Sequence, residues 1–281
     1  MIHARDPAVP PNPLRLISTG QIELQVFDRG QGLPVVFLHG FPLDHSMWNA
    51  ELEPISKRCR AIAPDLRGFG GSQVTPGVLT MEQMADDVAA MLDALDIHEP
   101  IVLCGLSMGG YVAFEFWRKY AARLRGLVLS DTRAMPDTPA AAQDRYELAE
   151  KVLKEGALPV ADVMVPKLFA PASLENRSNL TAIQRDIMLK TSPEGMAAAL
   201  RGMAVRSDFR PQLANIAVTT LVIVGEHDEI STVDEMRAIA AGIPHAQFVV
   251  IPHAGHMSPL EEPAAFLAAL VPFLEQVEHT G

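Results

Sequence analysis

Short apolar runs alternate along this chain with stretches patterned as helices. Ile22 to Phe27 alternates apolar and polar positions, with Ile22, Leu24 and Val26 on one side, the period of a half-exposed strand. Val35 to Leu38 is an unbroken apolar run, as expected of a strand covered on both faces. Arg60–Ala63, Ile101–Cys104, Gly126–Leu129, Thr220–Val224 and Gln247–Ile251 read as further strands. Thr80 to Ile97 instead carries Met84, Val88, Met91, Leu92 and Leu95 at spacings of three and four. That predicts a helix whose methionines fill the core, opened by a capping box of Thr80 and Gln83. Met108–Tyr120, Ser231–Ala241 and Pro263–Val277 are helical in pattern too. Strands alternating with helices predict α/β architecture with a mainly parallel sheet.

The alternation stops between about residues 131 and 209. This stretch has no strand-like run, is rich in Ala, Met and Leu, and has prolines at 136, 139, 159, 166, 171 and 193. It predicts several helices with proline-marked boundaries, inserted between two strands. The expected organisation is therefore a core of residues 1–131 and 211–281 with a helical cap at 132–210. Open α/β sheets bind ligands beyond the carboxyl ends of their strands, and an insertion there hangs over the site. Residues 1–13, with four prolines, read as a loose arm.

Composition narrows the function. A net charge of −11 over 281 residues opposes any sequence-independent grip on nucleic-acid phosphates, and any attraction to anionic membranes. Two cysteines, Cys59 and Cys104, supply neither a disulfide framework nor a metal-ligand pattern. No run approaches the roughly eighteen apolar residues of a membrane span, and the first residues lack the apolar core of a signal peptide. A cytoplasmic protein without metal or organic cofactor is expected.

One pentapeptide carries chemistry. Gly105-Leu106-Ser107-Met108-Gly109 fits the pattern G-x-S-x-G, in which a strand turns sharply into a helix and projects the serine clear of the sheet. An apolar strand precedes it and a helical pattern follows, so a helix N-terminus with free N–H groups lies beside Ser107. A serine nucleophile needs a base, and the base needs an orienting carboxylate. His256, in the loop after the last strand, is the expected base, with His253 as its rival. Asp228, after the penultimate strand, is the expected acid; Glu226, Glu229 and Asp131 are rivals by position. Donors for an oxyanion are expected from the backbone N–H groups of Met108 and of Phe41, in the loop His39-Gly40-Phe41-Pro42. His39 is expected to shape that loop.

With these residues assembled, the chain resembles the α/β-hydrolase fold superfamily. The resemblance is carried by His39-Gly40-Phe41-Pro42, Asp65-Leu66-Arg67-Gly68-Phe69-Gly70-Gly71-Ser72, Gly105-Leu106-Ser107-Met108-Gly109-Gly110, Gly225-Glu226-His227-Asp228 and Gly255-His256. The order nucleophile, acid, histidine is also the superfamily's. It implies an eight-stranded, mostly parallel sheet with the cap after strand 6, and a structural role for residues 65–72. Cys104 to Gly110 and Ser130-Asp131-Thr132 look most like the 3-oxoadipate enol-lactonase and small carboxylesterase branch. Dehalogenases and epoxide hydrolases of this fold carry aspartate at the elbow, where this chain has Ser107.

The resemblance implies a hydrolase of small carboxylic esters or lactones, working through an acyl-enzyme on Ser107. An acidic substrate calls for a cation, for which Arg133 at the start of the cap is the candidate. Met135, Leu168, Phe169 and Met203 are expected to line an apolar pocket. Two other readings use the same residues: a cofactor-free perhydrolase or haloperoxidase type, and a ligand-binding member without turnover. The expected partner is the small-molecule substrate, with a homo-oligomer left open.

Overall fold

Each apolar run read as a strand forms one, and an eighth strand joins them. The computed structural model describes residues 13–279, so the expected arm at 1–13 lies, but for Pro13, outside the described residues. The strands are β1 (Leu14–Ser18), β2 (Glu23–Arg29), β3 (Pro34–Leu38), β4 (Arg60–Pro64), β5 (Ile101–Leu106), β6 (Leu124–Ser130), β7 (Thr219–Gly225) and β8 (Gln247–Ile251). They form one sheet in the order β1-β2-β4-β3-β5-β6-β7-β8. Only β2 runs against its neighbours; β4, β3, β5, β6, β7 and β8 pair parallel. The strand without a sequence signal is β1. Its residues Leu-Arg-Leu-Ile-Ser are half-buried or exposed, because an edge strand has little apolar pattern to display.

The helices of the core are α1 (Asn49–Ile55), α2 (Met81–Ala94) and α3 (Met108–Tyr120). The chain leaves β3 for β4 on one side, then crosses back to β5 on the other. The crevice at such a reversal is where doubly wound sheets bind ligands. The loops after β3 and β5, with Phe41 and Ser107, stand at that point. Thr80 Oγ1 accepts the Gln83 N–H at 3.1 Å, which is one half of the expected capping box. Met84, Val88, Met91 and Leu92 are buried as the spacing requires.

Between β6 and β7 lie α4 (Pro139–Glu155), α5 (Leu158–Leu168), α6 (Pro171–Asn176), α7 (Ser178–Lys190) and α8 (Pro193–Ala204). Pro139, Pro159, Pro171 and Pro193 each sit in the first two positions of a helix, where the missing N–H removes no intrahelical bond. Three more helices complete the chain: α9 (Val233–Gly242), α10 (Ser258–Glu261) and α11 (Pro263–His279). Among the described residues, no helix is long and apolar enough to cross a membrane.

Helix α8 is fastened to the core by its glycines. Gly195 and Gly202, two turns apart, face the core loops so closely that a Cβ would stand 2.0 Å from Gly68 O and 1.7 Å from Leu79 O. The Leu79 N–H donates to Ala198 O at 3.0 Å between these contacts. Met196, Leu200 and Met203 then join the apolar cluster that contains the α2 and α3 faces. Gly202→Ala is expected to destabilise the protein by about 1–3 kcal/mol, the usual cost of overpacking, as read from urea unfolding.

Candidate active site

The turn from β5 into α3 is built from close approaches. Ser107 adopts φ 53° and ψ −113°, a strained conformation for a residue with a Cβ. A Cβ on Gly105 would meet Gly109 O at 2.3 Å, and one on Gly109 would meet Leu38 O at 2.3 Å. Glycine at both positions therefore lets helix and strands close around the serine. The neighbouring strand holds the turn: Ser107 N–H donates to Ser130 O at 3.0 Å, and Thr132 Oγ1 donates to Ser107 O at 2.8 Å. Met108 opens α3, so its N–H has no intrahelical partner. Across the crevice, His39 is buried and its Nε2 accepts the Leu66 N–H at 2.9 Å. Burial lowers its pKa; it is a neutral ring that joins two loops, as expected.

His256 and Asp228 are buried side by side. Asp228 Oδ2 lies 2.8 Å from His256 Nδ1, and a carboxylate can only accept, so Nδ1 carries the proton and Nε2 keeps its lone pair. Asp228 Oδ1 accepts the N–H groups of Ile230 (2.7 Å) and Ser231 (3.0 Å), which fixes the carboxylate plane. Burial presses the His256 pKa down, but Asp228, through its charge and its hydrogen bond to the ring, outweighs it and holds the pKa above its ordinary value. The rivals separate cleanly. Glu226, Glu229 and His253 are exposed.

The loop bearing His256 has its own brace. Buried Glu261 accepts the Gly255 N–H through Oε1 and the Ala170 N–H through Oε2, both at 2.8 Å. The Met257 N–H donates to Leu168 O at 3.1 Å.

The family model for the alpha/beta hydrolase fold matches residues 34–263. The chain belongs to this family. A solved thermophilic esterase from Thermogutta terrifontis is 48% identical, with a TM-score of 0.92 over 94% of this chain and 99% of that one. The enol-lactonase from Burkholderia xenovorans LB400 is 31% identical, with a TM-score of 0.86 over 93% of this chain and 100% of its own. "3-Oxoadipate enol-lactonase 2" of Acinetobacter baylyi is 29% identical over 83% of this chain and 85% of its own. These relatives are of the branch that the elbow sequence resembles.

In this hydrolase fold, Ser107 and His256 line one cavity of about 260 Å³, together with Phe41, Tyr111 and Ile230 of the core. Its other walls come from the inserted helices. Asp144, Arg145 and Leu148 are on α4, Val163, Met164 and Lys167 on α5, and Leu200 and Met203 on α8. Of these wall residues, only Met203 was expected from sequence. Their signal is the three- and four-residue spacing that brings Leu148, Met164 and Leu200 to one side of their helices. Spacing alone does not say which side faces a serine far away in sequence. Tyr111, one turn beyond Ser107, is held by the Arg206 guanidinium 4.4 Å from its ring centre.

The other four expected substrate contacts, Arg133, Met135, Leu168 and Phe169, do not line this cavity. Arg133 pairs with Glu235, at 3.0 Å from Nη2 to Oε1. With Met135, it lines a separate cavity of about 530 Å³ beside α9. The reason is local: Glu235 sits in the first turn of α9 and captures the guanidinium where the chain leaves β6. Leu168 and Phe169 are buried among core side chains, against the loop of His256: a Cβ on Gly255 would lie 2.8 Å from Phe169 C.

Asp131, a rival for the acid by position, is instead a second buried carboxyl behind His256. Its Oδ1 accepts the Gly225 N–H (2.8 Å), and its Oδ2 lies 2.6 Å from Ser258 Oγ and 2.7 Å from Ser130 Oγ. Burial and the nearby Asp228 charge push its pKa up to about 8. The folded chain then holds a proton that the unfolded chain releases near pH 4, so stability falls as pH rises from about 4 to about 8. Asp131→Asn is expected to remove this slope, at most about 1.4 kcal/mol per pH unit. Unfolding titrations from pH 4 to 9 check it: the variant should gain on the wild type up to pH 8 and no further.

Proposed function

We propose that this chain is a serine hydrolase that cleaves small carboxylic esters or lactones through an acyl-enzyme on Ser107. One observation carries the reading: a serine on a strained elbow shares a cavity with a buried histidine whose tautomer is set by a buried aspartate. Ser107 Oγ attacks the carbonyl carbon, and His256 Nε2 takes its proton and returns it to the leaving oxygen. Asp228 orients the ring and stabilises the imidazolium. The N–H groups of Met108 and Phe41 receive the negative charge that develops on the carbonyl oxygen. Water then repeats the sequence on the acyl-enzyme, with His256 as base.

The cavity supports a small substrate. About 260 Å³ is at or below the lower end for ligand sites, which favours short acyl groups or a single lactone ring. Its rim carries two cations. Arg145 is occupied by Asp137 at 2.5 Å, whereas Lys167 has no carboxylate partner among the described residues. A lactone of an oxo-dicarboxylic acid, the kind of molecule for which relatives of this chain are named, keeps one free carboxylate after ring closure. Lys167 is suited to receive that carboxylate, the role that sequence suggested for Arg133.

Ser107→Ala is expected to lower kcat on p-nitrophenyl acetate by at least about 10⁴-fold; turnover within tenfold of wild type in the purified variant sinks the reading. Lys167→Ala separates the substrate classes. It should raise KM about tenfold, equivalent to 1.4 kcal/mol, for a short ester ending in a carboxylate, and leave the neutral ester of the same length unchanged. Equal effects on both esters exclude the charge pairing.

A further inference from the structure

Outside the cavity, the loops after β7 and β8 bring together two imidazoles and a carboxylate. Glu226 and His227 follow β7, and His253 follows β8; all three side chains are exposed, and one ligand atom of each lies within 4.8 Å of the others. Ligands about 2.0–2.1 Å from a tetrahedral zinc ion stand about 3.4 Å apart. All three side chains are exposed and can rotate, and the backbones that carry them are already tied. The Glu226 N–H donates to Ile251 O at 2.9 Å, the His227 N–H to Ala254 O at 2.8 Å, and the His253 N–H to Glu226 Oε2 at 3.0 Å. A Cβ on Gly225 would stand 2.0 Å from Gly255 O, so the loops lie in direct backbone contact. His253 also holds φ at 64°, a conformation in which a side chain other than glycine is uncommon. It keeps its imidazole beside the neighbouring loop.

We propose that Glu226, His227 and His253 form a surface site for a Zn²⁺-class transition-metal dication, which staples together the two loops that carry Asp228 and His256. The donor set decides the metal class. Two imidazoles and one carboxylate suit zinc and its late first-row neighbours, whereas magnesium and calcium take oxygen ligands. Three protein ligands leave the remaining position to water. Among the described residues, the other cluster with metal-like spacing, Asp44, His45 and Asp65, differs in a way that matters. The Asp65 oxygens already accept from the His45 and Gly71 N–H groups and from Gln25 Nε2, so its lone pairs are committed.

The site predicts binding that does not depend on turnover. Untagged, chelator-treated protein is titrated with ZnCl₂ by calorimetry, and its Tm is measured with and without Zn²⁺ and with Mg²⁺. One zinc equivalent should bind and raise Tm, and Mg²⁺ should do neither. His227→Gln and His253→Asn should each weaken zinc binding by at least about tenfold and abolish the Tm shift. Asparagine is chosen at 253 because it tolerates positive φ. Glu226→Gln is a third arm should either histidine variant fail to match the wild-type circular dichroism. The proposal is overturned by no zinc binding, by an equal response to Mg²⁺, or by undiminished zinc binding in the correctly folded variants.

Discussion

Everything at the reactive end of the sheet depends on how tightly β5 turns into α3. The turn brings helix backbone within van der Waals range of two strands, which only Gly105 and Gly109 permit, and the strain of that packing falls on Ser107. The helix N-terminus then lies over the crevice between β3 and β5, with the Met108 N–H beside the serine. The same closeness lets Thr132, at the end of β6, reach the Ser107 carbonyl, so the elbow is braced from the strand that leads into the inserted helices. A looser turn would leave the serine mobile and its surroundings open to water.

The second organising feature is an economy of charge behind His256. Two aspartates from adjacent strand ends are buried within electrostatic reach of one imidazole. Both cannot be ionised cheaply in so dry a place. The division between them follows their donors. Asp228 has two backbone N–H groups and the ring N–H, whereas Asp131 faces two serine hydroxyls and one N–H. Hydroxyls can accept as readily as donate, so the Asp131 site accommodates a protonated carboxyl and the Asp228 site does not. The pair gives His256 a single negative partner at neutral pH while filling the space behind it with polar groups that are fully engaged.

Much of this was legible from sequence because the information is local. The apolar runs of β3, β5 and β7 are buried on both faces and need no partner to be recognised. The elbow pentapeptide, Asp228 and His256 are marked by their position immediately after such runs. What sequence missed depends on three-dimensional assembly. The edge strand β1 has an exposed face and a short, mixed pattern. Arg133 read as a free cation because nothing in its neighbourhood reveals that Glu235, about a hundred residues later, lies beside it. Leu168 and Phe169 read as pocket-lining because an apolar pair in a helical segment looks the same whether it faces a cavity or a loop. The place of Lys167 on the cavity wall is hidden for the complementary reason: it comes from which side of α5 meets the serine, and that is set by how α5 packs.

The glycine contacts of α8 divide the pocket into parts with different histories open to them. The wall carrying Leu200 and Met203 is held by backbone pressed on backbone at Gly195 and Gly202, so side-chain exchange there must respect a fixed frame. The wall carrying Val163, Met164 and Lys167 presents half-buried and exposed side chains, of which Met164 also packs against the core. Substitutions at the exposed Val163 and Lys167 of α5 change that wall without touching Leu168, whose carbonyl braces the loop of His256. The shape of the cavity and the packing of the elbow are thereby separated, and one scaffold can accommodate a series of cavity shapes by changing a single helix face.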